Sequence, residues 1–477
     1  MGVIQLRKRL NWLFIGVVLI LGTLPAQARY QTVIENNAVA DSLFSVGLER
    51  FTEGDYAASQ ATFDRIINEF RPNRSTTASV VFAAKSAYRQ KKYESVRSYL
   101  NGFAITYASS SYLDEAKRLD ELALGALQIE TANVVDIGVI LSLDRDERQQ
   151  TQEIFNGIRL AIDEHNKNSP NKPIRLVFRD IDGGATAARK AVRELAGAKV
   201  VAILGTLFSE EALAAADEAN KLSTVFVAPL ATDDEITQGK PFAFQANPSM
   251  KTRGAAMARF VKNGLRLDKV AVILATDERK ISERQADGFL TAASELGLTI
   301  TMVNVLPNEN SLYSLADTLP SDTLNQSDVI YMPLASRRPV ATVGAILSNL
   351  DRMNRNIRVI GNEGWEDLPQ KTHASAYLAT YGSAYWVDPA NDSFAVFSRS
   401  YRALAGKAPD KLAVTGYDVT RFVFKAINEA GSGAITQKMR DMDPFDGLGI
   451  RIHFDGQNIN QALFYHRYRD NQLTLIK

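Results

Sequence analysis

The sequence predicts an all-α helical repeat followed by a longer α/β unit built on parallel sheets. Its 477 residues exceed the roughly 250–300 at which a single hydrophobic core stops growing, so several domains are expected. Two helix-period stripes around a tight turn recur thirty-seven residues later in the N-terminal quarter. From about residue 133 onward, short apolar runs alternate with amphipathic helical patterns.

At the N-terminus Arg7, Lys8 and Arg9 precede the apolar run Leu13 to Leu24, and Ala26-Gln27-Ala28 supplies the small residues of a cleavage site. This reads as a secretory signal peptide over residues 1–28, with the mature chain beginning at Arg29. The run holds 12 residues, against the roughly 20 that a membrane-spanning helix needs. The chain has no cysteine, which excludes disulfides, thiolate metal sites, cysteine nucleophiles and a lipid-modified cysteine at the cleavage site. An exported, unanchored protein belongs in the periplasm of a two-membrane bacterium. With 45% apolar residues, 23% charged residues and a net charge of +1, no global charge favours nucleic acid or an anionic membrane.

Residues 29–132 form the repeat. Ala40 to Asn73 alternates two helical stripes around a Gly54-Asp55-Tyr56 turn: Gly47 lets the helices approach, Tyr56 and Phe63 fill the space between them, and Pro72 stops the second helix. Thirty-seven residues on, Ala84, Tyr93 and Leu100 take the places of Gly47, Tyr56 and Phe63, and Lys91-Lys92 stand in the turn. The pattern resembles a tetratricopeptide repeat, capped by a third helix from Tyr112 to Leu127. Such repeats either hold a partner peptide in a groove or serve as a spacer. Gln128 to Asn133 is the expected junction.

In residues 133–477, strands are expected at Val134 to Leu141, Ile174 to Phe178, Val200 to Leu204, Thr224 to Ala228, Val270 to Leu274, Ile300 to Val305, Val329 to Met332 and Ile357 to Ile360. Sheets of this kind bind ligands at the carboxyl ends of their strands. Ser209, after Gly205-Thr206-Leu207-Phe208, can present a hydroxyl beside free backbone N–H groups, which suits a carboxylate. Thr232, after Leu230-Ala231, stands in the same relation to a helix expected from Asp233. Both residues are also good helix N-caps, and Thr232 to Glu235 fits a capping box.

Ser398 to Ile427 joins two helical patterns through a Pro409 turn to a Gly416-Tyr417-Asp418 entry. With Ile137-Gly138-Val139, Phe155 to Asn166, Leu176 to Asp182, Val200 to Ser209, Val225 to Thr232 and Ile360 to Trp365 in order, this resembles the leucine/isoleucine/valine-binding branch of the type I periplasmic binding proteins. The resemblance covers about residues 133–477. It implies two lobes joined by three crossings, near Asn247, Tyr385 to Pro389 and Asp446-Gly447. Lobe 1 would span about 133–247 and 387–446, and lobe 2 about 248–386 and 447–477. It implies ligand contacts at Ser209, Thr232 and the Ala231 backbone for a carboxylate and at Glu363 for an ammonium, with Trp365 as an apolar wall or a lobe anchor.

Two departures stand against an amino-acid ligand. Thr276 to Lys280 and Leu334 to Arg338 replace the family's aromatic walls, and Glu210, Glu211, Asp233, Asp234 and Glu235 crowd the helix starts. Arg279, Arg337 and Arg338 make a larger or anionic ligand conceivable.

No catalytic motif is present, and His165, His373, His453 and His466 lack metal-ligand spacing, so no cofactor or metal is expected. The leading expectation is a non-catalytic receptor for a small polar solute, an amino acid or derivative, working with an ABC permease or in sensing. The competing expectation, from a layout resembling penicillin-binding protein activators, is a regulator that binds a peptidoglycan synthase; the missing anchor cysteine counts against its close version.

Overall fold

The computed structural model describes residues 36–70, 72–129, 133–142, 148–181, 184–319, 324–353, 357–366, 374, 376–430, 435–470 and 472–476. Residues 1–28, read as a signal peptide, together with Asp182, His373 and residues 130–132 of the expected junction, lie outside these residues. The chain divides into two compact units, one ending at Leu124 and the other beginning at Gly125.

The first unit is helical: α1 (Ala38–Glu53), α2 (Tyr56–Glu69), α3 (Thr76–Arg89), α4 (Tyr93–Leu100), the short α5 (Phe103–Thr106) and α6 (Leu113–Gln128), which continues past the division. Asn37 caps α1 by accepting from Val39 N at 3.1 Å and Ala40 N at 3.0 Å. A Cβ on Gly47 would stand 2.8 Å from the Phe63 ring, which is why the first helix carries glycine there. The two turn aromatics do the same work one repeat apart: Tyr56 packs on Phe51 with centroids 5.3 Å apart, and Tyr93 on Tyr88 at 5.7 Å. α6 buries Ala116, Leu119, Leu122 and Ala123 and is tied to the earlier helices by Lys85–Glu115 at 2.8 Å and Arg97–Asp120 at 3.1 Å.

The second unit holds two sheets. The first is built from β1 (Val135–Ser142), β2 (Ile174–Ile181), β3 (Ala202–Gly205), β4 (Val225–Ala228) and β5 (Ala243–Gln245), in the order β2-β1-β3-β4-β5 and parallel throughout. Its connecting helices are α7 (Arg148–Asn168), α8 (Gly184–Gly197) and α9 (Ser209–Lys221). The chain then leaves this sheet and enters α10 (Met250–Arg259). The second sheet comprises β6 (Lys269–Ala275), β7 (Thr299–Leu306), β8 (Val329–Met332), β9 (Arg358–Gly361) and β10 (Thr380–Ser383), linked in part by α11 (Ile281–Glu295), α12 (Leu315–Thr318) and α13 (Pro339–Arg352).

After β10 the chain passes into α14 (Asp392–Ala405), α15 (Lys411–Ala430) and α16 (Ile435–Asp441). It returns through the small hairpin β11 (Phe445–Asp446) and β12 (Arg451–Ile452) to β13 (Phe464–Arg469) and β14 (Gln472–Ile476). Those last two strands pair antiparallel and give the second sheet the order β14-β13-β10-β9-β8-β6-β7. They extend the expected parallel sheet with a mixed edge. The three crossings between sheets thus fall at residues 246–249, 384–391 and 442–463.

Each expected strand is found with its ends within three residues of their expected places, because an apolar run covered on both faces has few alternatives. α15 lies across α7 so closely that a Cβ on Gly157 would stand 1.9 Å from the Ala413 carbonyl oxygen. Gly157→Ala is therefore expected to force the two helices apart and destabilise the second unit by about 1–3 kcal/mol, the usual effect of overpacking. A urea midpoint equal to that of the parent would contradict this crossing.

Candidate functional site

The first sheet's contribution starts at β3, whose carboxyl end runs through Gly205 to Phe208 into α9. Ser209 is the first residue of that helix and its N-cap is the extended Phe208, which makes no side-chain cap bond. The expected cap at Ser209 is thus replaced: its hydroxyl turns across the cleft end of the sheet and accepts the Thr232 N–H at 3.4 Å. Two candidates 23 residues apart in sequence are brought into contact. The adjoining Ala231 is buried.

Thr232 caps nothing either. Only a single 3-10 turn, Asp234–Ile236, follows, headed by Asp233. The acids of that segment have other partners: Asp233 pairs with Arg284 of α11 at 2.7 Å, and Asp234 accepts the hydroxyl of Ser249, the N-cap of α10. Gly239 and Pro241 leave no room for a longer helix.

The second sheet's contribution centres on Glu363, in the 3-10 turn that follows β9. Asn362 locks this turn by donating to Leu334 O at 2.9 Å and accepting from Leu334 N at 3.0 Å. Glu363 Oε1 accepts from Arg253 Nη1 at 2.5 Å and from the Ala384 N–H at 3.0 Å. Arg253 in turn donates from Nε to Pro248 O at 3.0 Å and from Nη2 to Asn247 Oδ1 at 2.8 Å. Burial pushes the Glu363 carboxyl up, but the Arg253 guanidinium, the Ala384 N–H and Lys411 outweigh it and hold the group below the usual carboxylate range.

Lys411 stands at the head of α15 with its ammonium over the Tyr385 ring, 5.2 Å from the centroid. Desolvation pulls its pKa down, partly offset by the charge of Glu363. Behind Glu363 lies an interior of buried polar rings. The Tyr331 hydroxyl has no hydrogen-bond partner and is pushed up by burial and by the Glu363 charge. His466 is pulled down to about 4 by burial, so it is neutral at pH 7.

Trp365 does not line the cleft. It is 1% exposed, donates its indole N–H to Met332 O at 3.0 Å and packs into the core of the second sheet, so of its two expected roles it fills that of anchor. His165 is half-buried, with its ring packed on Phe424 at 5.0 Å.

The third crossing is held by Asp418, which is wholly buried and accepts from Leu448 N and Gly449 N at 2.8 Å each and from Ile450 N at 3.2 Å. Burial pushes its carboxyl up to about 6 despite those donors. Sequence reasoning missed Arg253, Lys411, Tyr385 and this role of Asp418. A signal existed for the last, since Asp418 sits inside the Gly416-Tyr417-Asp418 motif.

A groove of about 880 Å³ opens beside Glu363, lined by the loops after β6, β7, β8 and β9 and by Arg253. Outside that lining the loops of the two sheets touch: Asp233, beyond β4, pairs with Arg284 of α11, and Lys411, in the α15 segment, acts electrostatically on Glu363, beyond β9. This is the geometry of two lobes around a cleft.

A protein-family model described as periplasmic binding protein matches residues 134–469. The chain belongs to the periplasmic binding protein family. Among solved structures it is similar to a putative branched-chain amino acid ABC transporter from Rhodospirillum rubrum, at 19% identity and TM-score 0.58 over 72% of this chain and 100% of the other. An ABC transporter substrate-binding protein from Desulfitobacterium hafniense matches at 19% identity and TM-score 0.51, with the same coverage of 72% and 100%. One from Sphaerobacter thermophilus matches at 15% identity and TM-score 0.50, covering 72% of this chain and 96% of its own. At these identities the likeness is one of fold. A search of curated proteins finds no match.

Arg253→Gln is expected to destabilise the second unit by about 3 kcal/mol at pH 7, because it leaves the Glu363 carboxylate without its counter-charge. Glu363 is held below the usual carboxylate range, so its ionised form contributes stability above that range and the contribution is lost as pH falls through the lowered pKa. The difference between variant and parent should therefore shrink from pH 7 towards pH 4 in denaturant melts. A difference independent of pH would contradict the pairing.

Proposed function

We propose that the protein is a non-catalytic periplasmic solute-binding protein. In this reading it closes its two lobes on a small polar solute, an amino acid or a derivative of one, for an ABC permease or for sensing. The observation that carries it is the contact between Ser209 and Thr232 at the head of α9, opposite a charged groove on the other lobe. Ser209 Oγ, Thr232, the Ala231 backbone and the positive end of the α9 dipole together suit a solute carboxylate. Glu363 stands at the far end, with Arg253 between it and any incoming ammonium. Trp365 supports that end from behind without touching the solute.

The helical first unit favours a second reading, a protein-interaction regulator of cell-wall synthesis whose repeats hold a peptidoglycan synthase. The two readings differ in what closes the lobes. A binding protein shifts from open to closed only through a ligand's differential affinity for the two states.

Small-angle scattering of the mature chain should therefore show a smaller radius of gyration with one member of a panel of amino acids, their N-acyl derivatives and organic acids. The same compound should raise thermal stability, by about 2.7 kcal/mol at 100 times its Kd. An unchanged radius and melting temperature across the panel would overturn the receptor reading.

A further inference from the structure

We propose that the cleft selects an organic dianion, a solute with a carboxylate at each end, over a zwitterionic amino acid. The inference rests on the solute-binding reading and names the solute's class. It follows from which charges in the lobe 2 groove already have partners.

Every acid lining that groove is engaged within the protein. Asp277 accepts from Arg279 N at 3.0 Å, Ile281 N at 3.1 Å and Ser282 N at 2.9 Å at the head of α11. Glu278 pairs with Arg337 at 2.9 Å. Glu309 accepts from the Ser336 hydroxyl, from Thr342 Oγ1 at 2.7 Å and from Arg337 N at 3.4 Å. Glu363 is held by Arg253 and Ala384 N.

The cations are not matched in the same way. Among the described residues Arg279 makes no ion pair. Arg338 makes none either: its guanidinium lies 5.8 Å from the Tyr313 ring centroid, and its charge only helps to lower the Glu309 carboxyl. Lys411, over the Tyr385 ring, does not line the groove and its charge already acts on Glu363. Glu210 and Glu235, which have no ion pair, do not line the groove.

A ligand ammonium entering here would find no unengaged carboxylate. To reach Glu363 it would have to displace a guanidinium whose other two nitrogens are fixed by Pro248 O and Asn247 Oδ1. A carboxylate would instead meet two groove cations, Arg279 and Arg338, able to give charge-assisted hydrogen bonds. With a first carboxylate at Ser209 and Thr232, the ligand carries a second at the lobe 2 end. The groove's volume of about 880 Å³ has room for a chain longer than that of a single amino acid.

The test is calorimetric titration of the whole mature chain with adipate and suberate, and with leucine and lysine as zwitterionic and cationic probes. The expected result is binding of a dicarboxylate that weakens with added salt. It should also weaken by about tenfold or more in Arg279→Gln and in Arg338→Gln, the effect of losing one charge-assisted hydrogen bond. Circular dichroism should show both variants folded. Leucine or lysine binding more tightly than either dicarboxylate would overturn the dianion class and leave the solute-binding reading standing. A dicarboxylate affinity indifferent to salt and to both substitutions would overturn it as well. No heat from any of the four probes, with no compaction by any solute in scattering, would overturn both.

Discussion

The Arg253–Glu363 pair is the contact on which the arrangement of the two lobes depends. Arg253 uses all three of its guanidinium nitrogens: Nε and Nη2 hold Pro248 and Asn247 in the first crossing, and Nη1 holds Glu363 beyond β9. The same Glu363 oxygen accepts the Ala384 N–H, where the second crossing leaves β10. Asn247 reaches back to the first lobe by donating to Leu230 O at 2.6 Å. One charged pair therefore fixes two of the three crossings and the turn at the base of the cleft. A buried pair of this kind contributes little net stability, since desolvation offsets most of its attraction. Its effect here is to set where the crossings lie.

The third crossing is fixed by a different device, a carboxylate that collects backbone donors. Asp418 gathers three consecutive N–H groups of residues 448–450, and the Gly449 carbonyl accepts the Trp386 N–H at 2.9 Å, joining the third crossing to the second. The three strands of the joint are thus cross-linked by hydrogen bonds rather than left as free linkers.

That a helical region precedes an α/β domain, and where most strands of that domain lie, was legible in the sequence because hydrophobic period and turn chemistry are local properties. Gly47, Tyr56 and Phe63 announce a helix pair, and Val225 to Ala228 can scarcely be anything but a covered strand. Ser209 and Thr232 were singled out by their places after β3 and β4, and neither caps a helix as expected. A good cap residue in sequence loses that role when tertiary structure offers its hydroxyl another partner, as Thr232 N–H does for Ser209. The role of Glu363 was only half legible. Its partner Arg253 stands 110 residues away in sequence, and no periodicity encodes which guanidinium reaches which carboxylate. Trp365 shows the same limit: an aromatic beside a candidate site is compatible with wall or core until its neighbours are known.

The central claim, that buried charges clamp the crossings as one joint, is tested most directly by hydrogen exchange with mass spectrometry on the mature chain. Peptides covering residues 380–386 and 445–452 should exchange slowly in the parent, close to the rate of the sheets. Asp418→Asn should accelerate exchange in 445–452 while leaving peptides from β1 and β3 unchanged. Rapid exchange of both crossing peptides in the parent, as in ordinary exposed loops, would contradict the account.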